Sequence, residues 1–183
     1  MGERTYWRTL SRSTLFESKW YNLQQDRVGL PDGAEITYTW VEHPGCAVIV
    51  PLQGGDVVLQ RQYRYTVNEV LLEAAAGAFN PEDVADPLQC AVRELREEQG
   101  LTAAKWTSLG SFHTAIGISN VTAHAFLAEQ LTAVGSELEA TEAAAGFEAV
   151  TLPFAEAVEA CYDGRIKDGL TIVALLRAAR LRS

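Results

Sequence analysis

The sequence predicts an α+β fold: an α/β/α sandwich on a mixed β-sheet, preceded by a small N-terminal antiparallel β-sheet. Three observations lead there. Residues 21–42 alternate apolar and polar around a strong turn, as a half-buried hairpin does. From residue 45 onward, short apolar runs alternate with segments of helical periodicity. A chain of 183 residues, 48% apolar, suits one compact domain or one domain with an appendage and can build a full core.

The elements follow in order. Tyr21–Val28 and Glu35–Glu42 read as strands, joined by the turn sequence Leu30-Pro31-Asp32-Gly33. Ile36, Tyr38 and Trp40 alternate with Glu35, Thr37 and Thr39, so one face is apolar. A two-stranded sheet with an apolar face does not stand alone and must pack on the main domain or on a second chain. The expected boundaries are therefore 1–44 for the N-terminal β-sheet layer, a dimerisation element, and 45–183 for the main domain. Cys46–Leu52 and Val57–Gln62 read as strands around the Gly54-Gly55 turn. Strands are also expected at Trp106–Phe112, Val121–Ala128 and Phe147–Leu152, with an Ala- and Glu-rich loop from about Thr132 to Gly146.

Three helices complete the pattern. Residues 86–99 form the first: Asp86 is the N-cap, Pro87 fits the first position and Gln89 completes a capping box. Leu88, Ala91, Val92 and Leu95 make its buried stripe, and Gly100 ends it. Pro153 opens a helix to Tyr162, closed by Asp163-Gly164. Thr171–Leu181 carries Ile172, Leu175, Leu176 and Ala179 at helical spacing.

Charge and cysteine usage exclude several functions. A net charge of −9 argues against broad electrostatic binding of nucleic acid or anionic membrane, so an anionic substrate must be met by local arginines and metal. No apolar run has the length of a membrane span, and no signal peptide opens the chain. Cys46, Cys90 and Cys161 have no metal-site spacing and read as free thiols of a reducing cytoplasm.

The most informative residues are Arg93-Glu94-Leu95-Arg96-Glu97-Glu98-Gln99-Gly100-Leu101. Glu94, Glu97 and Glu98 fall at i, i+3 and i+4, which puts three carboxylates on one helical face. Like charges so placed repel unless a cation lies over them. Mg²⁺ takes carboxylate oxygens and keeps positions open for phosphate. A solvated acidic face is the competing reading.

The string Arg-Glu-Leu-x-Glu-Glu-x-Gly-Leu, preceded by Gly77, resembles the signature of the Nudix hydrolases. Val41-Glu42-His43-Pro44-Gly45, Gln60-Arg61-Gln62-Tyr63-Arg64-Tyr65, Leu72-Glu73-Ala74-Ala75-Ala76-Gly77, Gly117-Ile118-Ser119-Asn120 and His124-Ala125-Phe126-Leu127-Ala128 resemble segments of one subgroup, the ADP-ribose pyrophosphatase-like nucleoside diphosphate sugar hydrolases. The resemblance runs from about Trp40 to the C-terminus. It implies a Nudix-type sandwich and a Mg²⁺ or Mn²⁺ cofactor. It further implies a small nucleotide substrate and a homodimer in which the N-terminal region is exchanged.

Residue by residue, the resemblance makes Glu94, Glu97, Glu98 and the backbone oxygen of Ala76 metal ligands. The catalytic set is Glu94, Glu97 and Glu98, with Glu142 or Glu148 of the late loop as general base. Arg64 clamps a phosphate, or makes a structural ion pair. Glu73 meets a ribose or orients Arg64, and Trp40 stacks on a base or packs in a core. Gly77, Arg93 and Gly100 are structural. The chain also departs from the family pattern: Ala85 stands where a glutamate is expected, in a loop about two residues longer, leaving Glu82 or Asp83 as substitute. Ala74-Ala75 replaces Leu-Pro, which loosens the loop, and Val121-Thr122 replaces Glu-Arg.

The expected reaction is hydrolysis of a nucleoside diphosphate sugar, ADP-ribose to AMP and ribose 5-phosphate. The alternatives are the same chemistry on GDP-mannose or another sugar nucleotide, or an ADP-ribose-binding protein that does not hydrolyse.

Overall fold

A computed structural model describes residues 6–81, 83–135 and 146–182. The chain divides into two compact units. One comprises Met1–Pro44 with His113–Val121, and the other Gly45–Phe112 with Thr122–Ser183.

In the first unit, β1 (Arg8–Glu17), β2 (Asn22–Gly29) and β3 (Glu35–Glu42) form an antiparallel sheet with β2 central. The expected turn joins β2 and β3. Gly33 adopts φ +86°, and the Asp32 carboxylate accepts the Ala34 N–H at 2.9 Å. β1 is an addition to the two expected strands. It is exposed along nearly its whole length, so it carries no apolar alternation to read. Its register with β2 slips at Thr9/Ser11 and Thr14/Phe16. Asp26 ties the sheet together: it accepts two hydrogen bonds from Arg12, at 2.8 and 2.9 Å, and one from the Trp40 indole at 3.2 Å.

The second unit is built on a sheet of seven strands among the described residues. They are β4 (Cys46–Gln53), β5 (Asp56–Arg64), β6 (Glu69–Glu73), β7 (Ala75–Ala78), β8 (Leu101–His113), β9 (Thr122–Ala133) and β10 (Glu148–Pro153). The main path runs β10-β5-β4-β9-β8, with β6 paired to β5 and β7 to β4. β4 and β9 are parallel and the β5 pairings antiparallel, so the sheet is mixed. β6 and β7 are additions to the expected strands. They are short, only β7 is alanine-rich, and they form because β5 and β4 offer edges for pairing.

Helices cover both faces. α1 (Pro87–Gln99) packs its Cys90, Ala91 and Leu95 on Ala47, Ile49, Phe126 and Ala128. α2 (Phe154–Asp163) and α3 (Gly169–Arg182) pack on the opposite face, around Val48, Val50, Leu59 and Leu127. The sandwich is as expected, with two corrections to its stripes. Val92 is exposed, and the buried face of α1 instead runs through Cys90, Ala91, Glu94, Leu95 and Glu98. In α3 the fully buried positions are Thr171, Ala174, Leu175 and Ala178, because alanine lets the helix backbone approach the sheet closely. Among the described residues, no helix is long and apolar enough to cross a membrane.

Candidate active site

The site is assembled where α1 meets β7. α1 starts where the sequence places it. The Asp86 side chain accepts the Leu88 N–H at 3.2 Å. The capping box is incomplete, however. The Asp86 N–H is taken by Asp83 O, so the Gln89 side chain turns to the Asp86 carboxylate instead. Gly100 ends the helix in the left-handed region at φ +63°, its N–H on the last-turn carbonyls.

Along this helix, Glu94 and Glu98 point inward and are buried, while Glu97 is half-exposed. Glu94 lies over Gly77, leaving no room for a Cβ there. Glu98 accepts the Ala76 N–H at 3.1 Å. Two carboxylates are thus fixed against the same four-residue strand.

Arg93 binds the remaining charge. One guanidinium nitrogen donates to Glu94 and, at 3.2 Å, to Glu97. Another donates at 3.1 Å to the buried Asp83 and at 3.2 Å to the Ala78 carbonyl. Burial alone would lower the Arg93 pKa. Glu94 and Asp83 override it, so the guanidinium stays charged. Asp83 is held in turn by the Asn80 N–H at 2.8 Å. Beside them, burial and the neighbouring Glu94 charge push the Cys90 thiol up to about 12. Its sulfur lies 3.4 Å from Gly77 O.

A second ion pair stands nearby on β5 and β6. Arg64 donates to both oxygens of the buried Glu73, which also accepts from the Gln62 amide at 3.2 Å. The hydrogen bond to Glu73 is the main cause that raises the Arg64 pKa, and the charges of Glu98 and Asp168 add to it. Glu73 therefore orients Arg64 in this state, while the Arg64 side chain stays 45% exposed and open to a ligand.

The match to known proteins spans both parts of the chain. Residues 42–171 match the NUDIX domain, and residues 7–41 match the nucleoside diphosphate sugar hydrolase N-terminal domain. This chain belongs to the NUDIX family. It is 36% identical over 171 residues to an ADP-ribose pyrophosphatase of Mycobacterium tuberculosis, covering 92% of this chain and 81% of that one. It is 32% identical over 136 residues to an ADP-ribose pyrophosphatase of Bacillus subtilis, covering 74% and 72%. A GDP-mannose pyrophosphatase of Pectobacterium atrosepticum is 34% identical over 130 residues, covering 68% and 66%. The crystal structure of an ADP compounds hydrolase superposes with a TM-score of 0.82 over 99% of this chain and 96% of that one. At 20% identity it speaks for the fold alone.

Ala85 is exposed, and Asp83 occupies the place beside Arg93. A turn at Asn80–Asp83 brings this carboxylate to the Arg93 guanidinium.

A metal would find oxygen donors here, the hard ligands that Mg²⁺ and Mn²⁺ take. The glycine at 77 opens the space in which the Glu94 carboxylate lies. Among the described residues, no three acidic, histidine or cysteine side chains are grouped so as to hold an ion; Asp83, Glu94 and Glu97 meet on the Arg93 guanidinium instead.

The remaining expected site residues are Trp40, Glu148 and Glu142. Trp40 belongs to the N-terminal unit, where its indole bonds Asp26 and the Arg12 guanidinium stacks 4.9 Å above it. Glu148 opens β10 directly opposite Arg61 of β5 and pairs with it at 2.9 Å. By strand alternation both share the face of Val150, Leu152 and α2, the far side of the sheet from α1. Glu142 lies outside the described residues.

Proposed function

We propose that this chain is a divalent-metal-dependent pyrophosphohydrolase that cleaves nucleoside diphosphate sugars, with ADP-ribose as substrate and AMP and ribose 5-phosphate as products. The observation that carries the reading is the burial of Glu94 and Glu98 on one helical face against Ala76–Gly77, in a NUDIX domain. Two buried carboxylates so close to a strand backbone are costly without a function that needs them.

Glu94 and Glu98 would hold Mg²⁺ or Mn²⁺, with Glu97 and the backbone oxygen of Ala76 completing the set. The bound ion would neutralise phosphate charge and acidify a water. Arg93, held by Asp83, keeps Glu94 and Glu97 in position before the ion arrives. Arg64 offers a planar fork for a phosphate, steadied from behind by Glu73. Trp40 supplies an aromatic surface for the base. The base that deprotonates the water is Glu142 of the late loop or Glu94 itself.

The same machinery suits GDP-mannose, and the relatives named GDP-mannose pyrophosphatase support that second reading. A homodimer formed through the N-terminal sheet is part of the proposal: Trp7, Phe16 and Trp20 are more than half exposed in that unit. Free cysteines fit a cytoplasmic site of action.

The decisive experiment is a hydrolysis panel of sugar nucleotides with Mg²⁺ or Mn²⁺, read by nucleotide product. Metal-dependent release of AMP from ADP-ribose, abolished in Glu98→Gln, is expected. Turnover of GDP-mannose alone would change the substrate and keep the site. Absence of turnover with all of them would sink the reading.

A further inference from the structure

Thr171 is fully buried in the first turn of α3. Its hydroxyl donates to Oδ2 of Asp168 at 2.6 Å and accepts the Ala74 N–H at 2.9 Å. The same Asp168 oxygen accepts the Thr171 backbone N–H at 2.8 Å. Asp168 therefore caps α3 and also fixes the direction of the hydroxyl, whose hydrogen is engaged and whose lone pair faces Ala74.

Ala74 occupies a singular place in the chain. It is the one residue between β6, which ends at Glu73, and β7, which begins at Ala75. Here the chain passes from pairing with β5 to pairing with β4, and the Thr171 hydroxyl takes up the amide in between. One residue before it, Glu73 holds Arg64. Two residues after it, the Ala76 N–H holds Glu98. The alanines at 74 and 75 bring no ring to stiffen the crossing. The stiffness comes from a helix nearly a hundred residues away in sequence.

We propose that Thr171, fixed by Asp168, is a positioning residue for the hydrolytic site. It holds the Glu73–Gly77 segment so that Arg64 and Glu98 keep their places relative to each other. The inference rests on the reading that Glu94 and Glu98 bind a divalent ion.

The test compares the full chain with Thr171→Val and Thr171→Ser. Mn²⁺ affinity is read by calorimetric titration, alongside kcat and thermal midpoint. Valine keeps the shape and removes the acceptor. It should weaken Mn²⁺ binding and lower kcat by about tenfold each, the scale of lost outer-shell support at metal sites. Serine should restore both. A folded Thr171→Val with wild-type Mn²⁺ affinity and kcat overturns the inference, as does a serine variant that restores neither. A merely structural role would move the thermal midpoint alone, and that outcome also overturns it.

Should the valine variant not fold, Asp168→Ser takes its place. It still caps α3 but is too short to hold the hydroxyl as well. Weaker Mn²⁺ binding with lower kcat is again expected, and wild-type values of both again overturn the inference. A wild-type chain that binds Mn²⁺ yet hydrolyses nothing would remove the hydrolase reading, and the Mn²⁺ comparison would still decide the role of Thr171. A wild-type chain that neither binds Mn²⁺ nor hydrolyses overturns both.

Discussion

The Glu94 carboxylate fills the space that a side chain would take on Gly77: its carbon and both oxygens lie inside 3.0 Å of where a Cβ would stand. The glycine is therefore required by a close approach, since its φ is not in the left-handed region. Glu94 is buried and tied to Arg93, so it is not a flexible end that can step aside. Gly77→Ala should displace the carboxylate by about an ångström or more and lower kcat by about a hundredfold, the effect of such a misplacement at a reacting centre. Steady-state kinetics with saturating Mn²⁺ checks this. Unchanged kcat would mean that Glu94 is not a ligand.

Arg93 gives a second prediction. It faces three carboxylates, of which Asp83 and Glu94 are buried. Arg93→Ala leaves both without their counter-charge, at a cost of about 3 kcal/mol. Urea unfolding without metal should show the loss. Saturating Mn²⁺ should return part of it, because the ion supplies positive charge to the same carboxylates. Equal losses with and without Mn²⁺ would place the ion elsewhere.

These two relationships differ in how far the sequence discloses them. The ends of α1 are local features: Asp86, Pro87 and Gly100 act within one turn of themselves, so the sequence carries them. The spacing puts Glu94, Glu97 and Glu98 on one helical face, but that Glu94 and Glu98 are buried while Glu97 stays half-exposed comes from the packing of α1 on β7. The role of Asp83 is not legible in the sequence either, because counting back from Arg93 lands on Ala85. Only the turn at Asn80–Asp83 shows which carboxylate reaches the guanidinium. β1 is invisible in sequence because both its faces are exposed, β7 because alanine has little strand preference, and β6 because five residues are too few to show a period. The side of the sheet on which Glu148 lies depends on its register with Arg61, a pairing between residues 87 apart in sequence.

The buried thiols predict an alkaline limit. Burial pushes Cys46 up to about 11 and Cys90 up to about 12, from an ordinary value of 9.0. Between about pH 9 and 11 the unfolded chain releases thiol protons that the folded chain keeps. The folded state then binds more protons, so stability falls as pH rises. The contribution is complete below about pH 9 and is lost as pH climbs through the folded values. Urea midpoints at about pH 8 and about pH 10.5 should fall more steeply for the wild type than for Cys46→Ala/Cys90→Ala, in which other alkaline groups still titrate. Parallel slopes would show the thiols to be accessible in the folded chain.

Glu148 tests the choice of base. A general base must reach the attacking water directly or through one bridging water. Glu148 lies with Arg61 on the face that packs against α2, whereas Glu94 and Glu98 stand on α1 across the sheet. Both partners of the pair are largely exposed, which limits its worth to about 1 kcal/mol or less. Glu148→Gln should thus change stability little and keep most of kcat, far from the roughly hundredfold or greater loss that removal of a base brings. Glu142→Gln, assayed beside it at the same metal concentration, should carry the larger loss. A large fall in kcat for Glu148→Gln at unchanged KM would put that carboxylate at the reacting water, and the Arg61 pair would then be a resting state that substrate breaks.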